Sequence, residues 1–160
     1  MSALSIRRAR NGDEKLILKL LHELAVYEKL EAKFHIDEQV IRRDYLCSAP
    51  FIVCDLAFAE GEPVGIATWY WTYMSFAATR ALYLEDLYVR PDFRGHGYGK
   101  ALLAHLAKTA LDAGASKVDW QVLPWNTPSI DFYEGIGAQR LVDWYVYSLS
   151  GAALEKLGRE

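Results

Sequence analysis

Residues 94–100, Arg94-Gly95-His96-Gly97-Tyr98-Gly99-Lys100, combine three glycines with a basic residue at each end. Such a run suits the binding of phosphate oxygens. Glycines let the backbone approach a ligand closely and take up positive φ angles. A helix starting at the loop adds unpaired N–H groups and the positive end of its dipole. Two common phosphate motifs do not fit. A P-loop needs GxxxxGK followed by Ser or Thr, but its first glycine would fall on Arg94 and its hydroxyl residue on Ala101. The dinucleotide fingerprint needs GxGxxG opening the fold, whereas this segment reads GxGxG and follows several strands.

The elements around the loop follow from periodicity. Leu4 to Ala9 alternates as a strand, and Asn11 or Asp13 is placed to cap a helix whose apolar positions are Leu16, Ile17, Leu20, Leu21, Leu24 and Ala25. A second helix is predicted from Asp37 to Leu46. Strands are predicted at Phe51–Ala59 and Val64–Tyr73, joined by the turn Glu60-Gly61-Glu62-Pro63, and at Ala81–Val89. A helix from Gly97 to Ala113 follows, with Leu103, Leu106, Ala107, Ala110 and Leu111 on one face. Then come a strand at Val118–Leu123, a helix at Thr127–Ile136 and a last long strand at Arg140–Leu149. This order predicts an α/β fold with a mixed sheet and helices on both faces. With no repeat or linker, residues 1–160 read as a single domain.

The loop also matches the pattern of Arg or Gln, two residues, then GxG, through Arg94, Gly97 and Gly99. It thereby resembles the pyrophosphate signature of the GNAT superfamily of N-acetyltransferases. Four segments together resemble the spermidine/spermine (diamine) branch of that superfamily: Glu23-Leu-Ala-Val-Tyr-Glu28, Leu82-Tyr-Leu-Glu-Asp-Leu-Tyr-Val89, Arg94-Gly-His-Gly-Tyr-Gly99 and Trp125-Asn-Thr-Pro-Ser-Ile-Asp-Phe-Tyr133. The resemblance implies a GNAT fold with antiparallel N-terminal strands and a splayed βαβ half that binds acetyl-CoA, and commonly a homodimer. It implies that the backbone of Leu87, Tyr88 and Val89 pairs with the pantetheine arm. Arg94, Gly95, His96, Gly97, Tyr98, Gly99 and Lys100 would hold the pyrophosphate, and Asn126, Thr127, Pro128 and Ser129 would flank the rest of the co-substrate. Leu87 and Val89 can also pack in the core, since the contact would use main chain.

Acetyl transfer needs an unprotonated amine and a proton for the departing thiolate. A free alkylamine has a pKa of about 10 and arrives as an ammonium ion. A nearby carboxylate can attract it and accept its proton, often through water. Glu85 resembles the family's substrate-binding glutamate and is the candidate base. On a regular pleat Asp86 points to the opposite face, and only a bulge changes this. The competing reading for both is a salt bridge at the sheet surface. Tyr133 matches the family's general acid, against an aromatic that merely packs a helix. Tyr27 and Glu28 match a substrate-binding pair, with Glu28 suited to a second cationic group or to a solvated helix end. Asp143 and Trp144 border the acceptor in the same reading. Two departures affect the acceptor. Residues 72–80, TYMSFAATR, lack the Asp-Pro-Trp-like run of the animal polyamine enzymes, and the chain is shorter between Ala138 and Asp143. Polyamine, diamine, thialysine and amino-acid-like acceptors therefore stay open. So do a protein N-terminus or lysine, and a non-catalytic acetyl-CoA sensor, though a sensor needs neither Glu85 nor Tyr133.

Composition narrows the classes. A net charge of −3 provides no basic field for nucleic acid and mildly favours a cationic substrate. No apolar run is long enough to span a membrane and no signal peptide is expected, which with two cysteines, Cys47 and Cys54, fits a reducing cytoplasm. Both cysteines read as buried small hydrophobes. No metal is expected. His22-Glu23 begins an HExxH motif that fails at Val26, and His35, His96 and His105 form no ligand pair.

Overall fold

The computed structural model describes residues 4–159. The chain divides into two compact units at Gln121/Val122. The first unit holds a five-stranded sheet in the order β1-β2-β3-β4-β5. Its strands are β1 (Leu4–Arg8), β2 (Val53–Ala59), β3 (Glu62–Met74), β4 (Thr79–Val89) and β5 (Val118–Asp119). The first four pair antiparallel, whereas β5 pairs parallel to β4, through Leu82↔Val118 and Tyr83↔Asp119 alone. The mixed sheet is as expected, and β5 is much shorter than the predicted Val118–Leu123.

Helices cover both faces of this sheet. On one face lie α1 (Glu14–Tyr27) and α2 (Glu38–Asp44), linked by a 3-10 turn at Glu31–Lys33. Ile17, Leu20, Leu21 and Leu24 of α1 and Ile41 of α2 form a buried cluster with Cys54, Leu56, Ile66 and Tyr88 of the strands. Full burial of each such aliphatic side chain contributes about 1.5–3 kcal/mol. On the other face, Leu102 and Leu106 of α3 (Tyr98–Asp112) are fully buried. Adjacent strand residues report the two faces. Ile66 joins the α1 cluster, while Leu102 approaches Gly65. Asp55 beside Cys54 likewise turns to the α3 side, where it accepts from Arg8 Nε at 2.8 Å and Trp69 Nε1 at 2.7 Å, with His105 Nε2 at 3.4 Å.

Asp13 occupies the N-cap position of α1, but its carboxylate takes two bonds from Arg7, at 2.7 and 2.9 Å, and one from the Arg10 N–H. Asp37 does cap α2, accepting from the Val40 N–H at 2.8 Å. Cys54 is buried as expected; Cys47 is exposed, because it falls after the end of α2 rather than on its apolar face.

The second unit holds α4 (Thr127–Gly135) and α5 (Gly151–Leu157). The strand predicted at Arg140–Leu149 is not formed. Residues 139–149 have no regular structure, and Val142, Trp144, Tyr145, Val146 and Tyr147 are exposed. Alternation supplies a strand with faces but not with a neighbour, and no strand among the described residues pairs with this stretch. Among the described residues no helix is long and apolar enough to cross a membrane.

Candidate active site

The short β4–β5 pairing leaves most of β4 open along one edge. The direction of its main-chain groups can be read from their partners. Arg90 N–H donates to Val64 O at 2.9 Å, and Tyr88 O lies against Gly65, so both point to β3. Leu87 and Val89 alternate with them and direct their main-chain groups to the open edge. The expectation of backbone pairing thus narrows to Leu87 and Val89. Tyr88 instead sends its main chain to β3 and its ring into the α1 core.

From this edge the chain runs through a 3-10 turn, Pro91–Phe93, into the glycine loop. Gly97 is the N-cap residue of α3, with φ +81°. Gly95 has φ +79°, and both are left-handed conformations that side chains resist. No side chain caps α3. The first turn of a helix leaves its leading N–H groups without intrahelical acceptors, so the loop ends in an anion-accepting backbone. Tyr98, Gly99 and Lys100 form that first turn, and Lys100 is exposed. The His96 ring is engaged, its Nδ1 lying 2.9 Å from Arg94 O and its plane stacked on Tyr98. Arg94 turns back to β4: its Nε donates to Val89 O at 3.0 Å, and its guanidinium lies 4.7 Å from the Tyr27 ring centre. These features suit a long co-substrate with a peptide-like arm and a pyrophosphate.

The acidic residues are set by a bulge. Thr68 pairs with Asp86 and Trp69 with Leu84, leaving Glu85 as the extra residue on β4. A regular pleat would separate Glu85 and Asp86. Here both act on the same neighbour, holding the Tyr45 phenol above its usual range after burial has raised it. Asp86 accepts a hydrogen bond from the Thr68 hydroxyl. Burial lifts its carboxyl despite that bond. Glu85 keeps solvent access, and partial desolvation followed by the charge of Asp86 lifts it also. Tyr70 and Tyr83, whose rings lie 5.1 Å apart, are raised by burial and then by Glu85.

Glu28 ends α1 and belongs to the same electrostatic group. Burial lifts its carboxyl, and Asp86 adds to the effect. Glu28 and Asp86 line one pocket with Leu21, Leu24 and Ala25 of α1 and with Leu30, Lys33, Phe34 and Ile36 of the following segment. Within the first unit the structure thus brings together Tyr27, Glu28, Glu85, Asp86, the open edge of β4 and the glycine loop. It also supplies residues that the sequence did not single out. Thr68 holds Asp86, Tyr45 feels both strand carboxylates, and Lys33 lines the pocket. Thr68 is two residues from Ile66, on the same buried face, which is the one signal that could have found it.

The remaining candidates lie in the second unit. Asn126 precedes α4, and its carbonyl accepts from the Ser129 and Ile130 N–H groups, each at 3.1 Å. Thr127, Pro128 and Ser129 form the first turn, where proline costs no intrahelical bond. Tyr133 is on the last full turn of α4, its ring 5.4 Å from that of Phe132. Asp143 lies in the irregular stretch before α5 and is exposed.

The profile of the acetyltransferase (GNAT) family matches residues 18–138. A thialysine N-epsilon-acetyltransferase of Bos taurus is 38% identical, over 98% of each chain. An L-ornithine N5-acetyltransferase of Arabidopsis thaliana is 28% identical, over 96% of this chain and 87% of its own. Among solved structures, an integron cassette protein from the mobile metagenome of V. cholerae superposes with a TM-score of 0.82 at 24% identity, covering 100% of this chain and 99% of its own. The family match over residues 18–138, with a likeness this broad in sequence, makes this chain a member of the GNAT family of acetyltransferases, enzymes that use acetyl-CoA as co-substrate.

Proposed function

We propose that this enzyme transfers the acetyl group of acetyl-CoA to a primary amine of a small cationic acceptor. The observation that carries the reading is the bulge at Glu85, which sets Glu85 next to Asp86, a residue that lines one pocket with Glu28. Two relatives are named for amines, thialysine and L-ornithine. The family match runs across both units, which supports a single catalytic domain over residues 1–160.

In this reading the backbone of Leu87 and Val89 aligns the pantetheine arm, with Tyr88 fixing the strand between them. The loop from Arg94 to Lys100 and the start of α3 hold the pyrophosphate, and Asn126 to Ser129 flank the co-substrate. Asp86, Glu28 and Tyr27 draw in the cationic acceptor, with Asp143 at its border. Glu85 accepts a proton from the ammonium, directly or through water, and frees its lone pair. The amine nitrogen bonds to the acetyl carbon, the carbon–sulfur bond breaks, and the nitrogen gives up its second proton to solvent as the amide forms. Tyr133 donates its phenolic proton to the departing thiolate. The products are an amide and the free thiol, and the Tyr133 phenolate recovers a proton from solvent.

The same reading places the enzyme in the cytoplasm as a homodimer. The exposed apolar run from Leu141 to Leu149 is compatible with a subunit contact, and sedimentation velocity tests that assignment. The central test is thiol release from acetyl-CoA across diamines, polyamines, amino acids with side-chain amines and peptides. Turnover of peptides alone, or of no acceptor despite firm acetyl-CoA binding, would overturn the small-amine reading. Tyr133→Phe should lower kcat at least tenfold with little change in acetyl-CoA affinity. Unchanged kcat removes Tyr133 from the acid role.

A further inference from the structure

The pocket beside Asp86 carries both signs of charge. Its walls are apolar, from Leu21, Leu24, Ala25, Leu30, Phe34 and Ile36. Such walls suit the methylenes of an acceptor chain. Two carboxylates, Glu28 and Asp86, and one ammonium, Lys33, line the same space. The complement of that set is a molecule with two cationic groups and one anionic group on an aliphatic chain. An α-amino acid with a terminal side-chain amine has this pattern. A diamine lacks the anion.

Lys33 is well suited to meet the anion. Its root is fixed by the 3-10 turn, where the Lys33 N–H donates to Leu30 O at 2.9 Å and the Phe34 N–H to Glu31 O at 3.0 Å. Its side chain is exposed and makes no ion pair among the described residues. Basic neighbours on α2 are committed, Arg42 to Glu14 and Glu38, and Arg43 to Asp44. The simplest competing role for Lys33 is to neutralise Glu28. Yet the Glu28 carboxyl stays lifted by burial and Asp86, with no cation bringing it down.

We propose that Lys33 is a specificity-determining residue that binds the α-carboxylate of an amino-acid acceptor while the pocket carboxylates hold its amines. The proposal rests on the acceptor reading given above. It sets Lys33 against diamines, because a third positive charge in the pocket repels a dication.

Matched acceptors isolate the carboxylate. L-lysine and 1,5-diaminopentane differ only in that group, as do L-ornithine and 1,4-diaminobutane. Initial rates of thiol release give kcat/KM for each. The wild-type enzyme should prefer the amino acid of each pair. Lys33→Met should lower kcat/KM for the amino acids roughly tenfold or more, the worth of one charge-assisted hydrogen bond. The same substitution should raise kcat/KM for the diamines. Lys33→Arg should restore the amino-acid preference, and Lys33→Glu should invert it. Equal responses of both members of a pair, or a wild-type preference for the diamines, overturn the role of Lys33 and leave the small-amine reading standing. Absence of turnover with all four acceptors and with polyamines overturns both.

Discussion

Gly65 links the fold to the open edge of β4, and a single methyl group tests that link. Gly65 lies in β3 opposite Val89. A Cβ at this position would stand 2.7 Å from Tyr88 O, 3.3 Å from Leu102 Cδ1 and 3.4 Å from Val89 Cγ2. The first contact is with main chain, so no rotamer change relieves it. Two effects of Gly65→Ala oppose each other. Alanine restricts the unfolded chain and stabilises by about 0.4–1 kcal/mol where the backbone tolerates it. Overpacking a tight site costs about 1–3 kcal/mol. The clash with a carbonyl puts this site in the upper half of that range, for a net loss of about 1–2 kcal/mol. At roughly 2–4 °C per kcal/mol for a chain of this size, Tm should fall by about 2–8 °C. The relief must come from movement of Tyr88 and Val89, whose neighbouring main chain faces the open edge. KM for acetyl-CoA should therefore rise more than KM for the acceptor. Scanning calorimetry and initial-rate kinetics measure the two effects. An unchanged or higher Tm, or a rise confined to the acceptor KM, refutes this account of the β3–β4 contact.

Other perturbations separate structural from functional carboxylates. Asp55 is 1% exposed and accepts from both Arg8 and Trp69, so Asp55→Ala leaves the buried Trp69 N–H unpaired and should cost about 1–3 kcal/mol in urea unfolding; unchanged stability contradicts that pairing. For Asp86 the sign of the pH effect is fixed by its direction. Burial and Asp86 lift Glu28 and Glu85, so the acid limb of kcat/KM should lie above the ordinary carboxylate range of about 4. Asp86→Asn removes the charge contribution and should move that limb to lower pH while lowering kcat/KM; a limb that stays or rises counts against the coupling. Carboxyls lifted on folding favour the folded state below their ordinary pKa and lose that contribution as pH rises through the lifted value. Asp86→Asn should therefore leave the Tm at neutral pH unchanged or higher, a stability–activity split that thermal scans at several pH values can detect.

The parts of this site that depend on local sequence were legible. Three glycines between basic residues, a preceding strand and a helical apolar face define the loop before α3. Asp37 at the start of α2 and the apolar stripe of α1 are equally local. Three features depend on distant partners and were not. Nothing in Leu84-Glu85-Asp86-Leu87 encodes a bulge, because the extra residue is defined by the register of Thr68 and Trp69 on another strand. The alternation of 140–149 specifies two faces but cannot supply a partner ladder. Lys33 sits in a short polar turn with no periodic signal, and it gains meaning from the pocket around it.

In the proposed reading, the bulge is what lets an acidic pocket favour a cationic acceptor despite modest net charge. On a regular strand one of Glu85 and Asp86 would face the α3 side. Here Asp86 lies near both Glu85 and Glu28 and raises the cost of ionising each. Without an acceptor, Asp86 opposes the ionisation of Glu28 and of Glu85 in a partly desolvated space. In the proposed reading a bound dication offsets that effect, and part of its affinity comes from doing so. The same effect makes Glu85 a stronger base than an ordinary surface glutamate, since a lifted carboxylate holds a transferred proton more readily. Binding and proton acceptance thus draw on one structural feature. Straightening β4 by deleting Glu85 would abolish both, whereas Glu85→Gln should keep the bulge and acceptor binding in part and lose the base.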